Sequence, residues 1–342
     1  MSDLANFLKH AERSGLLAPE DLAQCQRQAQ LAPTLDPNIL AEHLVRLGKL
    51  SRFQARKILT GKSVGLVLGP FEILNVLGRG GMGSVFLARD RRNRELVAIK
   101  LVTPKQLEEH PWRLVRLQRE MQINRRLDHA SIARIHELNQ YDDVHCMTLE
   151  YVPGIDLRQQ VVEQGLLDYR TVAALLAEVA LALDHAHRRG VIHGDIKPSN
   201  IMLLDESRHH AAGRTKLVDF GLSIDLVRPE GPEMKRRISG TMSYISPEQT
   251  MVGSFIGPAA DIYSLGGTLY FALTGEPPFP GGTVKEKVQR QRYEDAPSLH
   301  LLVHDIPPDL AILAKQMLAK KPENRPLSAA AVAEALKQIA QD

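Results

Sequence analysis

His193-Gly194-Asp195-Ile196-Lys197-Pro198-Ser199-Asn200, with Asp219-Phe220-Gly221 downstream, is the stretch that decides how this chain is read. In-line phosphoryl transfer leaves an enzyme little covalent chemistry, so its site needs a carboxylate to orient the acceptor hydroxyl and take its proton. Asp195 is the candidate base. Magnesium prefers hard oxygen donors with room left for waters and phosphates, and the Asp219 carboxylate and the Asn200 amide are suited to that. Lys197, two residues beyond the base, is placed to reach the transferring phosphate. A lone aspartate in a loop is more often a turn former. What displaces that bland reading is the fixed order in which further motifs precede it.

Upstream, Gly78-Arg79-Gly80-Gly81-Met82-Gly83-Ser84-Val85 fits the pattern G-x-G-x-x-G-x-V. Such glycines let the backbone approach a polyphosphate, and its amides can bond the oxygens. Similar spacing marks dinucleotide sites, but there a helix follows the glycines directly, whereas here a strand-like run, Ser84 to Ala88, follows. Phe71 to Leu77 and Leu96 to Val102 are two further β-rich runs. Val97-Ala98-Ile99-Lys100 lies in the last, and the Lys100 ammonium can neutralise α and β phosphate charge. A single strand lysine is usually a solvated charge. The helical segment from Trp112 to Leu127 adds a carboxylate partner for it, and Glu120 is preferred over Glu108 and Glu109 for its distance from Leu127-Asp128-His129, where the chain turns toward a fourth strand.

Residues 1–62 read as all helix: Leu4, Phe7, Leu8 and Ala11 share one face, and Leu40, Leu44 and Leu47 repeat the spacing. Arg13-Ser14-Gly15-Leu16-Leu17-Ala18 is echoed by Arg46-Leu47-Gly48-Lys49-Leu50-Ser51, each glycine ending one helix before another begins, so two helical hairpins in tandem are expected. Asp36 before Pro37, and Ser51, have the chemistry of N-caps. Periodicity is lost around residues 63–69, which read as a linker ahead of a second domain at 70–342.

At 342 residues, 44% hydrophobic and 24% charged, the chain is globular and long enough for more than one core. A formal charge of +3 is too small and too evenly mixed to imply nucleic-acid or membrane binding. Cys25 and Cys146 are far apart and lack CxxC spacing, which argues against a disulfide framework or a zinc site and for a reducing, cytoplasmic setting. The longest apolar stretch, Val172 to Leu183, is interrupted by Glu178, so no membrane span is expected.

From about Phe71 to Ala340 the chain resembles the Hanks-type serine/threonine protein kinases, most of all their bacterial branch. The resemblance implies an α+β, two-lobed protein-kinase fold: a five-stranded antiparallel sheet plus helix C in an N-lobe at 70–149, and a mainly helical C-lobe at 153–342, behind the small all-α domain. It implies ATP as cosubstrate with Mg2+, or Mn2+ in its place, bound in the cleft between lobes. Glu150-Tyr151-Val152-Pro153-Gly154 resembles the hinge: Leu149 is then the gatekeeper, Glu150 and Val152 offer backbone hydrogen bonds to adenine, Val85, Ala98 and Met202 sandwich its ring, and Asp156 approaches the ribose. Ser246-Pro247-Glu248 stands where the family usually has Ala-Pro-Glu. Asp261 resembles the buried aspartate that supports the catalytic loop, and Arg325 the partner of Glu248. Lys197-Pro198-Ser199-Asn200 and Gly240-Thr241-Met242 resemble the serine/threonine forms, in which the threonine, here Thr241, bonds the catalytic aspartate and lysine. The implied substrate is a protein bearing a Ser or Thr acceptor, with autophosphorylation expected.

Two departures stand out. Gly194 occupies the place where many relatives carry arginine, so the guanidinium that pairs with an activation-segment phosphate is missing. This is a non-RD form, in which Ser223 and Ser239 are candidate acceptors and Lys235, Arg236 and Arg237 lie beside the latter. Asn124 stands four residues after Glu120, where the family packs an apolar side chain. His209-His210, in the loop from Asp205 to Arg214, reads as solvated loop rather than metal site. The competing class is a pseudokinase scaffold that acts through partners, but such loss of catalysis usually leaves a gap at the lysine, base or metal ligand, and here Lys100, Asp195, Asn200 and Asp219 all stand. The helical residues 1–62 are also candidates for docking a protein partner.

Overall fold

The computed structural model describes residues 3–32, 34–80, 83–205, 213–227 and 242–341. Gly81, Lys235, Arg236, Arg237, Ser239, Thr241, His209 and His210 lie outside the described residues. The chain divides into two compact units, Met1–Val115 with Ile135–Tyr151, and Arg116–Arg134 with Val152–Asp342.

The first unit opens with four helices, α1 (Asp3–Ser14), α2 (Pro19–Leu31), α3 (Pro37–Arg46) and α4 (Arg52–Leu59). Their caps follow from the sequence. The Asp36 carboxylate accepts from Asn38 N at 2.9 Å, and Ser51 forms a reciprocal capping box with Gln54. Leu4, Phe7, Ala11, Leu40, Leu44 and Ile58 bury one shared core. Leu47 does not join it and is 54% exposed, because α3 ends at Arg46 and the following turn leaves the helical phase.

Behind the helices stands an antiparallel sheet in the order β1-β2-β3-β4-β6-β5, with β1 Val67–Leu68, β2 Phe71–Gly80, β3 Gly83–Asp90, β4 Leu96–Val102, β5 Ile135–Tyr141 and β6 Val144–Glu150. It has six strands where five were expected, because Val67 and Leu68, in the segment read as linker, pair with Glu72 and Phe71. Alternation along the strands gives the sheet two faces. Phe71, Ile73, Ala88, Val97, Ile99 and Cys146 form a core on one, and Phe53 of α4 packs against that core. Burial pushes the Cys146 thiol up to about 12, so it is inert packing. Val85 pairs directly with Lys100, and Leu87 with Ala98, so Val85, Ala98 and Lys100 share the opposite face. Polar contacts also hold α4 to β2: Gln54 Nε2 donates to Ile73 O at 2.9 Å and Ser51 Oγ to Leu74 O at 2.7 Å.

α5 (Pro104–Glu109) and α6 (Trp112–Asn124) follow β4. The helical core of the second unit is built on α8 (Tyr169–His187) and α9 (Pro258–Thr274), the latter buried along nearly its whole length. An apolar helix of this kind forms the centre of a core rather than its edge. α10 (Val284–Tyr293), α11 (Pro308–Met317) and α12 (Ala329–Gln341) complete it, and Leu176, Leu183, Leu265, Leu269, Leu310 and Leu336 lie in one cluster. Two small sheets frame the motif loops. β7 (Gly154–Asp156), β9 (Ile201–Leu204) and β10 (Thr215–Leu217) form one, α7 (Leu157–Gln159) following β7, and β8 (Val191–Ile192) with β11 (Ile224–Asp225) forms the other. No helix among the described residues is long and apolar enough to cross a membrane.

Candidate active site

In the second unit, β8 delivers the chain into the loop 193–200 and β9 takes it out, so the motif residues project from a loop pinned at both ends. Lys197 Nζ lies 2.6 Å from Asp195 Oδ2. Asn200 Nδ2 donates to Asp195 O at 2.8 Å and reaches its Oδ2 at 3.3 Å, which turns the amide oxygen away from that carboxylate. Burial pushes the Asp195 carboxyl above its ordinary value, against the charge and hydrogen bond of Lys197. Asp219 has φ +63°, a backbone conformation uncommon for residues other than glycine, and its carboxylate is exposed. Val218 N donates to Asn200 O at 3.0 Å, which links β10's exit to the loop that carries Asn200.

The loop is shaped from beneath by residues outside the motifs. Asp261, fully buried on α9, accepts from His193 N and Gly194 N, each at 2.8 Å, and pairs with His187 Nε2 at 2.8 Å. Burial raises its carboxyl, but the hydrogen bond and charge of His187, with His193 and Gly194, outweigh that and hold it below the ordinary range. The His193 ring packs edge-on against Phe220 at 4.6 Å. Gln249 Nε2 donates to Gly194 O at 2.8 Å. Neither His187 nor Gln249 stood out in the sequence, since each acts through a partner more than fifty residues away. Ser223 is buried and its Oγ donates to His193 O at 3.4 Å, so it is part of the loop's support rather than an accessible phosphate acceptor.

Of the residues expected around adenine and ribose, Val152 lies in a small cluster with Leu204 and Ala133, and Met202 packs against it. Asp156 pairs with Met202 across β7 and β9, and its Oδ1 caps α7 by accepting from Gln159 N at 2.8 Å. In the first unit, Ala98 faces Leu149 and Val97 faces Glu150 across β4 and β6. Gly78 pairs with Val85 and Gly80 with Gly83, so the glycine-rich stretch is a hairpin end. At Gly83, φ is +136° and an added Cβ would stand 2.8 Å from Leu101 O, which only glycine avoids. Lys100 and Glu120 are both buried, on β4 and α6. Asn124 is buried as well, and its Nδ2 donates to Ala133 O at 3.0 Å, so a polar bond stands where an apolar contact was expected.

Asp219 and Asn200 suit a magnesium ion that keeps waters and substrate phosphates for its other positions. Among the described residues no cluster of three or more His, Cys, Asp or Glu is placed to hold a metal ion.

A sheet-bearing unit with a glycine hairpin and a strand lysine, together with a helical unit carrying this loop, defines a protein kinase domain. The chain belongs to that family: the family pattern described as protein kinase domain matches residues 71–337. It is similar to bacterial members. It is 33% identical over 267 residues to the serine/threonine-protein kinase PknD of Mycobacterium tuberculosis, covering 78% of this chain and 39% of that protein. It is 34% identical over 265 residues to the serine/threonine-protein kinase PknB of Mycolicibacterium smegmatis, covering 76% of this chain and 41% of that one. The chain thus spans about two-fifths of the length of these relatives.

Proposed function

We propose that this chain transfers the γ-phosphoryl group of ATP to serine or threonine hydroxyls of protein substrates, itself included, in the cytoplasm. The observation that carries the reading is the loop cluster of Asp195, Lys197 and Asn200 at 2.6–2.8 Å. Asp195 orients the acceptor hydroxyl and takes its proton as the oxygen attacks. Lys197, held on the same carboxylate, faces the charge that moves onto the transferring group. Asn200 and Asp219 hold the metal, which supplies charge neutralisation on the phosphates when bound. Lys100 balances α and β phosphate charge, with Glu120 as its proposed partner, and the glycine hairpin with Thr241 completes the nucleotide and acceptor sides. The all-α residues 1–62, joined by 63–69 to the kinase domain at 70–342, are proposed to dock a protein partner.

The experiment is transfer of labelled phosphate from Mg·ATP to a basic test protein and to the chain itself, with Lys100→Met and Asp195→Asn as controls. Transfer by the parent, lost by about 10²-fold or more in both variants, supports the reading. A parent that binds Mg·ATP yet transfers nothing would make it a scaffold.

A further inference from the structure

α10 is mostly a charged helix, Val284-Lys285-Glu286-Lys287-Val288-Gln289-Arg290-Gln291-Arg292-Tyr293, and yet one of its polar side chains, Gln291, is 1% exposed. A buried amide is costly unless every hydrogen-bonding atom is matched. Gln291 is matched on both sides. Its Nε2 donates to Ser243 O at 2.8 Å and to Met242 O at 3.3 Å. Its Oε1 accepts from Tyr263 Oη at 2.5 Å. That phenol belongs to α9, two residues from the Asp261 that holds the catalytic loop. Its ring is covered by the Arg325 guanidinium at 4.9 Å, and Arg325 makes a two-pronged ion pair with Glu248 at 2.7 and 2.9 Å.

The same helix grips the same stretch twice more. Lys287 Nζ meets Ser243 Oγ at 3.2 Å, and Arg292 Nε donates to Thr250 Oγ1 at 2.7 Å. At its other side, the stretch 242–250 reaches the catalytic loop through Gln249 and Gly194 O at 2.8 Å. An acceptor peptide that brings its hydroxyl to the Asp195 carboxylate passes close to this stretch, which is bonded to the backbone beside that residue. Gln291 donates to two successive carbonyls of this stretch, Met242 O and Ser243 O, and so joins Lys287 and Arg292 in setting where it stands.

From this geometry, and resting on the kinase reading above, we infer that Gln291 is a positioning residue for the protein substrate, fixing the acceptor-binding segment 242–250 while leaving nucleotide binding untouched. Tyr263 orients the amide, so that its nitrogen and not its oxygen faces the two carbonyls. Gln291→Glu therefore turns an acceptor onto acceptors and is more harmful to substrate binding than its small change in shape suggests. Tyr263→Phe removes only the orienting bond and is the milder variant.

The test is steady-state transfer to a basic test protein, varying that protein and ATP separately, on the full chain and on Gln291→Ala, Gln291→Glu and Tyr263→Phe, each checked for folding by its thermal shift with Mg·ATP. The expected result is a rise of about tenfold in KM for the protein in both Gln291 variants, a smaller rise in Tyr263→Phe, and KM for ATP within twofold of the parent. Equal changes in both KM values, or an unchanged protein KM in a variant with a normal nucleotide shift, would overturn the inference alone. If both Gln291 variants fail to fold, Tyr263→Phe decides: an unchanged protein KM there overturns it. A parent that transfers no phosphate overturns the kinase reading and this inference together.

Discussion

The backbone N–H of His193 donates to the Asp261 carboxylate at 2.8 Å, across 68 positions of sequence, with Gly194 N on the other oxygen at the same distance. A buried carboxylate on a fully packed helix thereby fixes the residues just before Asp195. Asp261→Asn replaces one acceptor oxygen by a donor that must face an N–H or His187. Losing hydrogen bonds to a buried carboxylate costs about 1–3 kcal/mol, and more where the group is charged. The expected outcome is a stability loss of about 3 kcal/mol at pH 7 by urea unfolding, with transfer reduced at least tenfold. Because the folded carboxyl titrates below its ordinary 3.8, its contribution is present above that pH and is lost as pH falls through the folded value. The gap between parent and variant should therefore close in acid, and a gap under 1 kcal/mol at pH 7 would show that Asp261 does not hold the loop.

Asp195 has the opposite sign. Burial outweighs Lys197 and raises its carboxyl above 3.8, so ionisation costs stability at neutral pH and the cost fades as pH falls toward 3.8. Asp195→Asn should therefore lose transfer by about 10³-fold while its Tm at pH 7 rises above the parent's. A Tm below the parent's at pH 7 would mean that the Lys197 pair dominates burial.

How much of this was legible in the sequence depends on where each partner lies. Lys100, Asp195, Asn200 and Asp219 stand in motifs of fixed local order, which is what made them candidates, and the caps at Asp36 and Ser51 were readable because a cap bonds within three residues. Gln54 was not, since its partner is the Ile73 carbonyl on another element. Asn124 read as a fault in an apolar pattern, and only the position of Ala133 O gives it a use. Leu47 obeyed the helical spacing but lies past the end of α3. The strand Val67–Leu68 is too short for any alternation to announce it.

Gln54 offers a test of how the helical residues bear on the sheet. Its Nε2 covers Ile73 O on the strand that runs into the glycine hairpin, and its Oε1 accepts from Ser51 N at 2.7 Å. Gln54→Ala uncovers a buried carbonyl and is expected to cost about 1–3 kcal/mol, with faster amide exchange along Phe71 to Val76. Stability within 0.5 kcal/mol, a change typical of an uninvolved surface site, would mean that α4 only rests on β2.

Asp225, on β11, pairs with Val191 of β8 and lies 2.7 Å from Arg126 Nη2, an ion pair rather than an aligned hydrogen bond. The start of the activation segment is thus tied down by a carboxylate of the chain itself. The cation that would read a phosphate is missing at Gly194, where φ is +74° and an added Cβ would stand 3.3 Å from Leu222 O. Phosphatase treatment, and Ser239→Ala, are therefore expected to change transfer less than about threefold, whereas Asp225→Asn should lower it more than either. Gly194→Arg has two effects that must be separated. A left-handed backbone costs a side-chain-bearing residue about 1–2 kcal/mol, which Gly194→Ala should show by itself without any phosphate dependence. The guanidinium adds a partner for phosphate, and a charged hydrogen bond of about 1.5–3 kcal/mol makes the arginine variant roughly ten- to a hundredfold more active phosphorylated than dephosphorylated. Transfer by parent, Gly194→Ala, Gly194→Arg, Ser239→Ala and Asp225→Asn, each with and without phosphatase, reads all of this in one assay. A tenfold fall in the parent on dephosphorylation would show that some other cation holds a phosphate in place of the missing arginine.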